Sequence, residues 1–300
     1  MNRIHCMNCI DGLKDIESES VNCCVTSPPY WNLRDYGSKD QIGQEPTVQE
    51  YIESLVKAFK EVRRVLSNNG TLWLNIGDTY GNKQLLGIPW KIAFALQNDG
   101  WYLRQDIIWA KNNPMPESVR DRCTKSHEYI FLFSKSSHYY FDAEAIAEPV
   151  TESTVKRMGQ DIESQTGSSR VPGKNNGNMK AAVPRYGGKK YTENPEVFNR
   201  TKSGNAYKFR PMRNKRSVWT VSTQPFKEAH FATYPPKLVE PCILAGCPKG
   251  GIVLDPFMGS GTTAMVALHL QRNFIGFELN PEYVKIAEKH RLDNVQQRIV

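Results

Sequence analysis

The stretch that most constrains this chain lies near its C-terminal end. Ile252-Val253-Leu254 is a short apolar run that reads as a buried strand. It leads straight into Asp255-Pro256-Phe257-Met258-Gly259-Ser260-Gly261, and helical character follows from Thr262 to Leu270. Asn273 to Phe277 supplies the next strand, and Glu278 ends it, 19 residues after Gly259. Strand, glycine turn, helix and strand in direct succession predict a sheet covered by helices. The two glycines let backbone pass close to a ligand, and Thr262 or Thr263 is placed to cap the helix. The loop is neither GxGxxG nor a P-loop, since it lacks the phosphate-binding lysine. Such a loop suits a nucleoside better than a triphosphate, with an acid about where nucleotide-binding folds hold ribose hydroxyls.

The first 142 residues carry the same rhythm. Val21 to Thr26 is an apolar run ending at Ser27-Pro28-Pro29. Glu50 to Leu66 sets Ile52, Leu55, Val56, Phe59, Val62 and Leu66 on one helical face; Asn68-Asn69-Gly70 reads as its stop, and Thr71 to Ile76 as a buried strand. A helix over Pro89 to Asn98 and a strand over Gln105 to Ala110 are predicted next. Glu128 to Phe133 and His138 to Phe141 read as a hairpin joined by a polar turn. After Phe277 a helix is predicted over Pro281 to Leu292.

Ser27-Pro28-Pro29-Tyr30 is the second informative turn. Each proline fixes its own φ and restricts its predecessor, so the turn is stiff. It can present the Ser27 hydroxyl and the Pro28 carbonyl as two acceptors beside an aromatic face. That arrangement suits an exocyclic amine on an aromatic ring: its N–H groups donate to the two acceptors, and Tyr30 stacks on the base. The ring face does the stacking, so loss of the Tyr30 hydroxyl alone is expected to be mild.

Taken together, Ser27-Pro28-Pro29-Tyr30 and Asp255-Pro256-Phe257-Met258-Gly259-Ser260-Gly261 resemble the amino-methylating DNA methyltransferases of the permuted beta class. In that family the catalytic motif comes first, a target-recognition region follows, and the cofactor motif comes last. The resemblance covers both ends of the chain. It implies the Rossmann-like α/β fold of S-adenosylmethionine-dependent methyltransferases with a mixed seven-stranded sheet, and a target base flipped out of double-stranded DNA. It also implies S-adenosyl-L-methionine as cofactor and often a homodimer, and leaves room for a cognate restriction endonuclease. By position, Asp255, Phe257, Gly259 and Gly261, with Thr262 at the helix start, would shape the methionine and adenosine pocket, and Glu278 would hold the ribose. The segment His230 to Leu238 resembles the one that closes over the cofactor's amino-acid end. Where the family usually has Gly-Asp-Cys near the N-terminus, with the acid beside the adenine, this chain has Met7-Asn8-Cys9. Asn8 keeps hydrogen-bonding ability but no charge. Serine at the head of the catalytic turn is commoner in the family's cytosine-N4 members, and aspartate in the adenine-N6 members. N4 of cytosine is therefore the expected target, with N6 of adenine the alternative.

Charge locates the expected DNA contact. Between Thr151 and Pro225 there are 15 Lys/Arg against 5 Asp/Glu, a local excess larger than the net +8 of the whole chain. The expected organisation is a catalytic half over residues 1–142, a basic target-recognition insert over 143–227, and a cofactor half over 228–300. Arg213, Lys215 and Arg216 are the candidate phosphate contacts. The competing reading of the insert is a solvated surface segment, and that of the whole chain a basic nucleic-acid-binding module without catalysis. A methyltransferase for small molecules or proteins would share the glycine loop but leave the insert unexplained. A cytosine-C5 enzyme needs a cysteine nucleophile, and Pro241-Cys242 lies in a helix-like run far from the catalytic turn.

Of the seven cysteines, Cys6 and Cys9 form a CxxC, but Cys23 and Cys24 sit in the apolar run VNCCVT and read as small buried hydrophobes. No metal is expected. No apolar run approaches a membrane span and no signal sequence is evident, so the expectation is a cytosolic (cytoplasmic) protein with reduced thiols.

Overall fold

The computed structural model of the protein describes residues 1–33, 35, 37, 41–154, 198–200, 206–208, 212–224 and 234–292. The chain divides into two compact units, Met1–Ile146 with Arg216–Val300, and Ala147–Lys215.

The first unit is built on one sheet. Its strands are β1 (Arg3–Cys6), β2 (Val21–Thr26), β3 (Leu66–Ile76), β6 (Tyr102–Ala110), β7 (His127–Ser134), β12 (Val218–Thr220), β13 (Ile252–Asp255) and β14 (Asn273–Glu278), in the spatial order β1-β14-β13-β2-β3-β7-β6-β12. Seven run parallel to one another, and β7 alone is reversed, antiparallel to both β3 and β6. The expected mixed seven-stranded sheet is present and carries an eighth strand, β12. That strand corrects the expected insert, which was drawn to residue 227. Trp219 is buried, its indole donates to the Arg216 carbonyl, and β12 pairs in parallel with β6.

Helices cover both faces of the sheet. α1 (Cys9–Lys14), α2 (Val48–Val65) and α3 (Ile88–Asn98) pack on the face that receives Cys24, Leu72, Leu74 and Ile76. α4 (Pro236–Gly246), α5 (Thr262–His269) and α6 (Pro281–Ala287) pack on the face that receives Cys23, Val25, Trp73 and Val253. Strand side chains alternate between faces, so consecutive cysteines Cys23 and Cys24 enter opposite cores. Helix α2 starts with a capping box between Thr47 and Glu50 and buries Tyr51, Ile52, Leu55, Phe59 and Val62. Each such large apolar side chain contributes about 1.5–3 kcal/mol. Leu66, expected on that helix, begins β3 instead, and the Asn68-Asn69-Gly70 stretch lies where the β2–β3 register is irregular.

Two further expectations change. His138 to Phe141 is not a strand, because both edges of β7 are already taken by β3 and β6. The backbone there turns elsewhere, with Tyr140 N–H donating to Asn69 and Asp142 N–H to Ala245. The last helix stops at Ala287 and continues as a π-turn over Glu288–Leu292.

A small pair, β4 (Tyr80–Gly81) with β5 (Gln84–Leu85), follows β3. The second unit holds two antiparallel pairs: β8 (Glu148–Pro149) with β11 (Met212–Arg213), and β9 (Phe198–Arg200) with β10 (Ala206–Lys208). Among the described residues no helix is long and apolar enough to cross a membrane.

The topology itself creates a site. From β2 the chain passes through α2 to β3 on one side. From β13 it passes through α5 to β14 on the other. β2 and β13 are neighbours, so the connections diverge and leave a crevice at their C-terminal ends. Both turns singled out in the sequence lie there.

Candidate active site

On the cofactor side, Asp255 ends β13 and is fully buried. Its Oδ1 accepts from Thr26 Oγ1 (2.6 Å) and the Phe257 N–H (3.0 Å), and its Oδ2 from Thr263 Oγ1 (2.6 Å) and the Tyr234 hydroxyl (3.0 Å). Expected to shape the cofactor pocket, Asp255 turns both oxygens into the protein. It ties the end of β2 to the start of the glycine loop. Burial raises its pKa, opposed by the hydroxyls of Thr26 and Thr263. The expected threonine cap is also absent: Gly261 is the N-cap of α5, with no side-chain cap bond, and Thr263 is spent on Asp255.

The two glycines differ in what they make room for. A Cβ on Gly261 (φ 82°) would lie 2.8 Å from Ala287 Cβ, so this glycine lets the loop pack on α6. A Cβ on Gly259 (φ 53°) would meet nothing within 4 Å. Gly259 N–H donates to Glu278 Oε2 and Asn280 N–H to Glu278 Oε1, both at 2.8 Å. Burial raises the Glu278 pKa against those two donors. Asn8 is brought alongside, because Met7 N–H donates to the Glu278 carbonyl (3.0 Å). Its Oδ1 caps α1 through the Ile10 N–H (2.8 Å). Phe257 is half-buried and meets Phe59 edge-on, with ring centroids 6.4 Å apart. Thr262 is buried as the first residue of α5.

These residues fit a nucleoside cofactor. There is open space beside Gly259, an acid at the end of the next strand, and a buried Ser260 hydroxyl that has no partner among the described residues.

On the other side of the crevice, Ser27 follows Thr26 directly. The proline turn is held from behind: Tyr51 OH donates to the Pro29 carbonyl (2.7 Å), Asn32 N–H to Gly43 (2.7 Å), and the Trp31 indole to Glu45 (2.9 Å). Among the described residues none donates to the Pro28 carbonyl. Tyr30 is engaged at its hydroxyl, which the sequence reading did not foresee. It donates to Glu128 Oε2 (2.6 Å). Asn75 Nδ2 donates to the same Glu128 oxygen (3.1 Å), and Lys111 Nζ to Glu128 Oε1.

Glu128, Asn75 and Lys111 were missed in the sequence. Their signal was faint but present. Each is a polar residue in or directly beside the site end of an apolar stretch of strand: TLWLNI, IIWAK and HEYIFLF.

The candidate phosphate contacts do not share one setting. Arg213 and Lys215 belong to the second unit and both pair with Glu148, at 3.6 and 3.3 Å, whereas Arg216 belongs to the first. Of the expected cofactor-closing segment His230 to Leu238, residues 230–233 lie outside the described residues, as does most of the basic insert.

The DNA methylase family model, N6/N4 class, matches residues 21–289. The chain is 39% identical to the Type II methyltransferase M.SmaI of Serratia marcescens, over 94% of this chain and 88% of that protein. It superposes on the cytosine-N4-specific PvuII DNA methyltransferase with a TM-score of 0.64 at 17% identity, covering 99% and 91% of the two chains. On the M1.HpyAVI complex with S-adenosylmethionine the TM-score is 0.57 at 20% identity, covering 97% and 98%. With a family model matching residues 21–289 and a relative 39% identical over 94% of its length, this chain belongs to the N6/N4 family of DNA methylases.

Proposed function

We propose that this DNA methyltransferase transfers a methyl group to N4 of cytosine, as the modification enzyme of a Type II restriction–modification pair, and that it does so on a base flipped out of duplex DNA. The observation that carries the reading is Ser27-Pro28-Pro29-Tyr30 at the C-terminal end of β2, one strand away from the Asp255 loop. Two comparisons support it: PvuII methyltransferase is cytosine-N4-specific, and M.SmaI is a Type II methyltransferase.

The methyl donor is S-adenosyl-L-methionine, which supplies an electrophilic methyl on a sulfonium sulfur. Gly259, Phe257, Glu278 and Asn8 surround its place, and Asp255 holds the loop that carries it. Ser27 Oγ and the Pro28 carbonyl accept the two amine N–H bonds. This draws the nitrogen lone pair out of conjugation and toward the methyl group. So held by Ser27 and Pro28, the target nitrogen would be the nucleophile for the methyl that the bound donor supplies, and the amine proton it gives up would pass to water. No covalent link to the enzyme forms.

Incubation with mixed-sequence duplex DNA and cofactor, followed by mass spectrometry of the nucleosides, tests this reading. N4-methylcytosine is the expected product. N6-methyladenine instead would overturn the choice of base, and neither product would overturn the catalytic reading.

A further inference from the structure

Strand β7 runs against its neighbours, so its first residues lie where the other strands end. That reversal delivers Glu128, which pairs with Trp109 in the ladder with β6, to the rim of the crevice. Three donors from three other places in the fold hold its carboxylate. Lys111, directly after β6, donates to Oε1; Asn75, near the end of β3, and the Tyr30 hydroxyl both donate to Oε2, at 3.1 and 2.6 Å. Two of these donors are themselves moored. Asn75 Nδ2 also donates to the Tyr129 carbonyl (3.1 Å), and Lys111 Nζ lies over the Trp109 ring, 4.5 Å from its centroid. Glu128 is thus a fixed point to which the catalytic turn is tied through Tyr30.

What this fixes in Tyr30 follows from the shape of a phenol. The hydroxyl lies on the long axis of the ring, so its bond to Glu128 sets where that axis points but leaves rotation about it free. Gly77, directly after β3, restricts the rotation. A Cβ there would lie 2.8 Å from Tyr30 Cε2 and 3.4 Å from the Glu128 carboxyl carbon, so bare backbone sits against the ring edge and the carboxylate together. Axis and rotation are both held, in a side chain that is only half-buried.

We propose that Glu128 is a positioning residue for the target base: through the Tyr30 hydroxyl it holds the ring in the orientation on which the flipped base stacks. The base then enters a slot whose aromatic wall is ordered on folding rather than at capture. The inference rests on the proposed flipping of the base and on Tyr30 as the ring that receives it. It makes the hydroxyl the anchor of that ring, where the turn by itself gives it no part.

The test is single-turnover methyl transfer at saturating cofactor and duplex DNA. The base that product analysis identifies as methylated is presented either correctly paired or in a mismatch. Tyr30→Phe keeps the ring and removes only the anchored oxygen. On paired DNA it is expected to slow transfer about tenfold, with cofactor affinity unchanged. On mismatched DNA the base leaves the stack more easily, and the loss should shrink to within about twofold. Glu128→Gln should also slow transfer on paired DNA, and should add nothing in the Tyr30→Phe background, because both changes act through one hydrogen bond. Tyr30→Ala, which removes the ring, should be the slowest. If Tyr30→Ala is slow while Tyr30→Phe keeps the wild-type rate, the ring matters and its anchor does not, and the proposal is overturned. A Tyr30→Phe loss that is as large on mismatched DNA, or that multiplies with Glu128→Gln, overturns it too. If Tyr30→Ala itself keeps the wild-type rate on paired DNA, Tyr30 does not receive the base, and the underlying reading fails with the proposal.

Discussion

Two carboxylates lie under the same edge of the sheet, and their surroundings differ in kind. Asp255 is enclosed by three hydroxyls and one backbone N–H, without a cation, and no part of it is exposed. Glu128 holds a lysine, an amide and a phenol at the rim of the crevice. The first arrangement suits a fixed tie: every lone pair faces a hydrogen of the protein's own, and the charge is carried at a cost that shows in the raised pKa. The second suits orientation: the carboxylate, paired with the lysine, accepts from the amide and the phenol and so sets which way their hydrogens point. One half of the crevice is thus built for shape and the other for hydrogen-bond direction.

The largest effect expected from breaking this division is at Ser27. Ser27→Ala should lower the single-turnover rate about 10²–10³-fold while leaving cofactor affinity intact, as for other preorganised polar contacts to developing charge. Loss of cofactor binding with an unchanged rate constant would place Ser27 on the wrong side of the comparison.

On the shape side, Gly261→Val forces a β-branched residue into a left-handed turn against Ala287. It should cost about 3 kcal/mol of folding stability, read as a drop in melting temperature without ligand. Gly259→Ala meets no such obstruction. It should cost only about 1 kcal/mol yet weaken cofactor binding by calorimetry, because its methyl enters the open space. Equal effects on stability would erase the distinction between the two glycines.

Asp255→Asn removes the tie's charge and should destabilise by about 1–3 kcal/mol. Its sign with pH follows from linkage. The folded chain binds the Asp255 proton more readily than the unfolded chain does. The stability this gives is therefore complete below the ordinary aspartate value and is lost as pH rises through the raised folded value. The melting-temperature gap between wild type and variant should accordingly be widest in acid and narrow toward neutrality. A gap that widens with pH would mean that the hydroxyl donors outweigh burial.

The smallest effect belongs to the basic segment. Replacing Arg213, Lys215 and Arg216 together by glutamine should flatten the log–log salt dependence of DNA affinity by at most about three phosphates' worth. In the wild type Glu148 already offsets part of the charge of Arg213 and Lys215, which reduces the expected change further. An unchanged slope would leave phosphate contact to other residues, while both halves of the crevice should keep their single-turnover behaviour.

What the sequence disclosed was local. Strand β13, its glycine loop, α5 and β14 are consecutive, so periodicity and turn chemistry expose them together, as they do Ser27-Pro28-Pro29-Tyr30 after β2. What it concealed depends on distant pairing. Val218-Trp219-Thr220 is too short to read as a strand, and only the free edge of β6 makes it one. His138 to Phe141 has strand-like residues, yet β7 has no edge left to offer. Glu128 could not be connected with Tyr30 beforehand, since 98 residues separate them. The bonds that Asp255 makes were hidden for a similar reason: three of its four donors, Thr26, Tyr234 and Thr263, lie off its own strand and turn.

The bond between Thr26 and Asp255 spans 229 residues, and this separation has a consequence for how the enzyme comes into being. During synthesis the end of β13 emerges 229 residues after the end of β2, so the growing chain holds one half of its site long before the other exists. Until Ile252–Asp255 arrives, the edge of Val21–Thr26 that later receives it has no partner. An unpaired apolar strand of this kind templates association with other chains. Contacts of such long range also slow folding. Methylating activity should thus appear as a single event, when β13 and β14 insert between β1 and β2.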